Sequence, residues 1–304
     1  MRKLRKSGHE QVMSPRNLGL AVLAPLCWGL TFTLAKPVVK HFPPVFMMFL
    51  VYAGIALLMA VTHRGPFKTE WKRLLLISAL AVTIQGGLLF YAVKDVDATT
   101  SNLVLQAQVP AGVIMGWLIA GEPMKTSRLM GTLIAVLGVA IVIGLPEKKP
   151  PLVPVLMIVI SGFVWAAGQV AARVLSKDSG AMILKANAWF ATPQLLVLTL
   201  LVEHGQWISL TTATSVQWLL FGFVGIFGFY VAYMTWFTLL KRVTVDQAVP
   251  FILLMTPIGL IAAVVFLGES ITTVQLVGGA VLMLGLAVVN GLGVPKRKLA
   301  FEAE

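Results

Sequence analysis

The sequence predicts an all-α integral membrane fold of ten transmembrane helices, built as two inverted five-helix repeats with both termini in the cytoplasm. Three observations carry this expectation: the apolar composition, the sidedness of the basic residues, and a match between two distant stretches. Hydrophobic residues fill 58% of the 304 positions and charged residues only 12%, with a mean hydropathy of +0.89. A soluble domain has far fewer apolar and more charged positions. Chain length is therefore counted in spans of about 20 residues.

Apolar runs bounded by charge, Gly or Pro place the spans at 18–35, 44–61, 74–93, 99–120, 127–145, 153–172, 182–202, 216–239, 246–267 and 272–291. The first run follows a basic start, as in a signal peptide. At about 18 residues, roughly 27 Å as a helix, it is longer than a usual signal core, and Lys36-Pro37 follows without a small-residue cleavage site. It reads as an uncleaved first span. Runs such as "LIAVLGVAIVIGL" do not alternate, which excludes a β-barrel.

The formal charge of +12 would suit nucleic acid, but the basic residues form short clusters between apolar runs, with no aromatic-interleaved basic face. With a cytoplasmic N-terminus, 19 of the 24 Lys and Arg residues fall inside, leaving Lys36, Lys40, Lys94, Lys148 and Lys149 outside. That bias is the usual signature of membrane orientation, and one missed span would scramble it. The single cysteine, Cys27, lies within the first run and builds neither a disulfide nor a metal site alone.

Residues 94–145 superpose on 241–292 at a constant shift of 147, without a gap. The match pairs Lys94 with Lys241, Pro110 with Pro257, Gly112 with Gly259, and Gly121-Glu122 with Gly268-Glu269. Matched Pro, Glu and Gly are harder to reach by chance than matched Leu or Val. At a shift of 137, Trp28, Ala35, Lys36 and Lys40 meet Trp165, Ala172, Arg173 and Lys177. The chain then divides into a basic cytoplasmic tail at 1–17, a first five-helix repeat at 18–145, a linker at 146–152, a second repeat at 153–291 and a tail at 292–304. Five is odd, so the second repeat enters from the opposite side, an arrangement common in secondary transporters with a midplane site between halves.

Ionised groups inside spans would be the first chemical candidates. Here the acids and all four histidines fall at span ends or in loops, so neither a metal centre nor a nucleophile–base set is implied. Uncharged polar residues remain. Asn102 and Gln106 share a helical face, and Gln85 and Gln169 lie in the third and sixth spans. These either line a hydrated path or bridge helices. Trp28, Phe32 and Lys36 form an i, i+4, i+8 stripe, repeated by Trp165, Gln169 and Arg173. Trp189, Tyr230 and Tyr233 offer further aromatic surface to a cavity or to packing. Pro110 and Pro257 are hinge candidates. Glycines of the fifth and tenth spans, such as Gly131, Gly138, Gly278 and Gly285, permit close helix approach to a partner that the sequence leaves open. Glu122 and Glu269 read as helix-end acids suited to capping the helix that follows each.

The stretch "APLCWGLTFTLAK" at 24–36 and the "GE" elements at 121–122 and 268–269 resemble the drug/metabolite transporter superfamily, in its ten-helix EamA-type branch. Within it the chain resembles the bacterial aromatic amino-acid exporter type. The resemblance spans about residues 17–291 and implies an inner-membrane exporter of amino acids or similar small metabolites, working without a cofactor. Small four-helix relatives carry an essential acid in the first helix, and this first span has none, which argues against proton antiport by that route. Exporters of drugs and flippases share the architecture. An enzyme would need a reactive set that the spans lack.

Overall fold

A computed structural model describes residues 13–144, 150–243 and 245–290, without the side chains of 245, 246, 249 and 250. Residues 1–12 of the expected N-terminal tail, residues 291–304 and most of the linker lie outside these residues, while Pro15, Arg16 and Asn17, expected in the tail, already belong to the first helix. Eight helices are long and apolar enough to cross a membrane: α1 (Pro15–His41), α2 (Pro44–Thr62), α3 (Trp71–Val93), α4 (Ala98–Ala120), α5 (Thr126–Gly144), α6 (Leu152–Leu175), α7 (Gly180–Val202) and α8 (Ser215–Leu240). Two shorter apolar helices follow, α9 (Phe251–Leu267) and α10 (Thr273–Val289). No strand occurs among the described residues.

Several helix ends differ from the sequence reading by a few residues, and two differences are larger. The first helix does not stop at Lys36-Pro37, because its ladder resumes past the proline and ends only where Phe42 N–H reaches the Val38 carbonyl at 2.8 Å. A short helix, Gln206–Thr212, occupies the segment between α7 and α8, with Trp207 and Ile208 exposed. An exposed Trp beside a span end suits the membrane–water boundary.

The packing interleaves the two parts of the chain. Helix α1 lies against α8 and α9, while α6 lies against α3 and α4; α2 packs on α7, and α5 on α10. Small residues permit the crossings. A Cβ at Gly168 would meet the Ala81 backbone nitrogen at 2.7 Å, and a Cβ at Gly228 would collide with the Thr31 side chain. These two crossings correspond under the shifts of 137 and 147. The fifth-helix and tenth-helix glycines find their partner in each other: a Cβ at Gly131 would sit 2.8 Å from the Gly285 carbonyl, and one at Gly278 3.0 Å from the Gly138 carbonyl. Backbones this close gain dispersion contact along the whole seam, which is what drives association once apolar surface is already in lipid.

Irregular turns recur at matched places. Helix α3 contains a π-helical stretch at Ala79–Ile84, and α8 one at Val224–Val231. Such stretches often mark functional sites. Helix α4 breaks between Leu105 and Gln108. Pro110 has no N–H to offer the Gln106 carbonyl, which accepts instead from Val109 at 3.0 Å. The approach to α9 is a 3-10 stretch, Val249–Leu254, which ends four residues or fewer before Pro257. Both irregularities therefore sit where a proline four residues on removes the donor.

Candidate site: an aromatic cavity between two ion pairs

Helices α1, α2, α3, α4, α6, α8 and α9 surround one cavity of about 150 Å³. Of the sequence-derived candidates, Trp28, Phe32, Gln85, Trp165, Gln169 and Tyr233 line it. The close crossings of α3 on α6 at Ala81 and Gly168, and of α8 on α1 at Gly228 and Thr31, border the cavity. The walls are aromatic. Trp28 lies edge-on to Tyr233 at 5.3 Å between ring centroids and tilts against Trp236 at 5.9 Å. Phe229 meets Tyr52 at 5.5 Å and Phe90 at 6.1 Å. Polar groups are the amides of Gln85, Gln108 and Gln169 and the hydroxyls of Thr31, Tyr52 and Tyr233; the lining holds no Asp, Glu, Lys, Arg or His.

The remaining candidates stand elsewhere. Asn102 is buried as a bridge, donating to Thr33 Oγ1 at 3.1 Å and to the Ala98 carbonyl at 2.8 Å, while Thr33 donates to the Gly259 carbonyl at 2.9 Å. Gln106 is buried at the α4 break, outside the cavity wall. Tyr230 packs half-buried on the main core, and Trp189 is exposed on the outer face of α7. Lys185 of α7 points to a loop: Nζ donates to the carbonyls of His63 at 2.7 Å and Gly65 at 3.0 Å and lies 5.1 Å from the Phe67 ring centroid. Tyr52, Phe90 and Phe229 are lining residues that sequence reasoning passed over. A lone mid-span Tyr, away from the interface where Tyr usually lies, is the signal that marked Tyr52.

The two stripe cations close on the two GE elements. Lys36 Nζ stands 3.2 Å from Glu269, and Arg173 stands 2.7 Å from Glu122, with Arg128 at 3.6 Å. Both elements share one backbone solution. Gly121 and Gly268 end their helices in the left-handed region, at φ of 64° and 66°, which only glycine adopts without cost. The next N–H then reaches back 3.2 Å to a carbonyl, Glu122 to Gly116 and Glu269 to Ala263. These, too, are a matched pair.

The expected capping of the following helix is not what the acids do. Thr272 and Gln275 form a complete capping box at the start of α10, which frees Glu269 to reach across the molecule. It accepts from the backbone N–H groups of Ala98 at 2.7 Å and Thr99 at 2.8 Å, and from the Thr99 hydroxyl at 2.9 Å. Glu269 thus caps α4 rather than α10. Burial pushes its carboxyl up, but the Ala98 and Thr99 donors and Lys36 outweigh that and hold it below the ordinary value of 4.5. It stays ionised at neutral pH. The two ion pairs also differ in exposure: side chains are 14% and 17% exposed for Lys36 and Glu269, against 56% and 34% for Arg173 and Glu122.

An all-helical membrane chain with a cavity enclosed by both parts of its sequence has the form of a multi-pass transporter. Residues 16–144 and 152–291 each match the EamA-like transporter family, and the chain belongs to that family. It is 28% identical to a probable amino-acid metabolite efflux pump of Salmonella typhimurium over 303 residues, covering 95% of this chain and 99% of that one. The corresponding Escherichia coli protein is 27% identical over 304 residues, covering 94% and 98%. A probable terminal-alkyne amino-acid exporter of Streptantibioticus cattleyicolor is 22% identical, covering 83% and 84%. A solved crystal structure shares the fold at a TM-score of 0.66 and 19% identity, covering 91% of this chain and 97% of its own. The efflux names of these relatives support an exporter.

Proposed function

We propose that the chain exports amino acids with aromatic or other apolar side chains across the bacterial inner membrane, by alternating access between two inverted five-helix halves, 18–145 and 153–291. One observation carries the substrate reading: a cavity walled by Trp28, Trp165, Tyr233 and Phe229, with amides and hydroxyls among its polar groups and no Asp, Glu, Lys, Arg or His on its lining. A nucleotide sugar or phosphate ester would require several free cations. Lys36, Arg173 and Lys185 are instead all engaged away from the cavity. The names of the amino-acid efflux relatives point the same way.

The mechanism is supported by the two ion pairs. Equivalent by sequence shift and both formed, they differ in burial, as expected of two latches of which the more exposed opens more readily. With the orientation set by the basic residues, the buried latch, Lys36–Glu269, faces outside, and the solvent-exposed one, Arg173–Glu122, which is also formed, faces the cytoplasm. The cavity is then offered to cytoplasmic substrate. Closing the second latch and opening the first would discharge it outward, with the breaks before Pro110 and Pro257 as hinges. The cavity lining holds no acidic group, and the reading is facilitated export or coupling through a group outside that lining.

The test is counterflow in liposomes with purified protein. Radiolabelled phenylalanine, tryptophan and leucine should exchange, and a nucleotide sugar should not. Exchange of cationic dyes or lipid probes in place of amino acids would replace this reading with a drug exporter or a flippase.

A further inference from the structure

An amino acid carries an ammonium and a carboxylate, and the cavity lining holds no ionised partner for either. A side chamber of about 20 Å³ opens off the same walls, sharing Tyr52, Gln169 and Tyr233 with the main cavity and adding Asn187 of α7. That volume admits one group the size of a water molecule. Asn187 Oδ1 is buried and accepts no hydrogen bond from any protein group. Three other span amides are engaged: Asn102 with Thr33 and the Ala98 carbonyl, Gln194 with Thr83 and Ser78, and Gln275 with Asp97 and Thr100. The other unpartnered buried side-chain atoms among the described residues are hydroxyls, which both donate and accept. Among these fully buried atoms, Asn187 Oδ1 is the one amide acceptor.

A buried acceptor without a donor is costly enough that a donor from outside the protein is expected to fill it. The chamber walls restrict which. Two tyrosine rings, Tyr52 and Tyr233, border the same space, and aromatic faces attract cations. A primary ammonium has three donors, no acceptor and the size of a water molecule. A carboxylate has only acceptors and would face the Asn187 oxygen with repulsion.

We propose that the Asn187 chamber holds the substrate's α-ammonium, displacing water, and that the carboxylate is directed to the amide groups of Gln85 and Gln108 in the main cavity. The side chain then lies against Trp28, Trp165 and Phe229. This rests on the cavity being the amino-acid site and goes further, because it orients the substrate and makes the amine, not the acid, the recognised end.

The experiment uses the full chain and four probes sharing one phenyl group: L-phenylalanine, phenethylamine, 3-phenylpropionate and N-acetyl-L-phenylalanine. Binding is read from quenching of tryptophan fluorescence in detergent, and transport from competition against tritiated phenylalanine counterflow. The wild type should bind phenethylamine within about fivefold of phenylalanine, and 3-phenylpropionate and the N-acetyl compound at least about tenfold more weakly, one tenfold step being 1.4 kcal/mol. Asn187→Leu, which keeps the volume and removes the acceptor, should weaken phenylalanine and phenethylamine by about tenfold and leave 3-phenylpropionate unchanged. Asn187→Asp should favour phenethylamine further. Equal losses for amine and acid, or a wild type that prefers 3-phenylpropionate, would overturn the assignment; the wild-type series decides even where a variant fails to fold. Asn187-dependent amine binding without amino-acid counterflow would keep the chamber and discard the amino-acid function. Counterflow with an unchanged Asn187→Leu profile would do the reverse.

Discussion

At the residue scale, the two GE elements show how one dipeptide serves two purposes. Glycine supplies the left-handed turn that ends the helix, and the acid that follows is projected away from its own helix toward a cation of the other half. The sequence shows both elements and both cations but not their partnership, since nothing in spacing links position 36 to 269. Glu269→Gln removes the charge toward Lys36 and weakens the cap on α4. It should favour outward opening by about 1–2 kcal/mol, a factor of roughly 5–30 in the population ratio. Side-specific labelling of a cysteine introduced at Thr99 checks this, with greater labelling from outside expected. Because its folded pKa is lowered, Glu269 contributes fully above the ordinary carboxylate range, and its contribution is lost only as pH falls through that lowered value. Labelling should therefore be flat from pH 6 to 8 and rise below about pH 4.

At the element scale, the α5–α10 seam and the broken helices have different duties. The seam is backbone against backbone, and bulk there has nowhere to go. Gly138→Val, whose Cβ would collide with the Leu282 backbone, should destabilise by about 1–3 kcal/mol and lower the melting temperature in detergent, with the folded remainder still competent for counterflow. Pro110→Ala restores a donor to the Gln106 carbonyl and straightens α4. It should slow counterflow several-fold while leaving the melting temperature unchanged or higher. Helix existence was legible in the sequence, because each apolar run is long and bounded by charge or Gly. The interior irregularities were legible only through Pro110 and Pro257. The π-helical stretches at Ala79–Ile84 and Val224–Val231 were not, because they answer to the close crossings at Gly168 and Thr31 rather than to local residue preference. The same limit explains the site. Trp28, Phe32, Trp165 and Gln169 were found because they fall on matched stripes, whereas Asn102 and Gln106 share the polarity of a lining residue but face Thr33 and the α4 break. Polarity at membrane depth does not distinguish a path from a bridge.

At the scale of the whole molecule, the central claim is that two related ion pairs exchange places as the shut door of one cavity. Cysteine pairs give direct control of each door, in a background with Cys27→Ser. Lys36→Cys with Glu269→Cys locks one side, and Arg173→Cys with Glu122→Cys locks the other. Tritiated phenylalanine counterflow in liposomes is measured before oxidation, after it, and after reduction. The account predicts that either cross-link alone stops exchange and that reduction restores it, since each door must open once in every cycle. Undiminished exchange with either pair quantitatively cross-linked would contradict it.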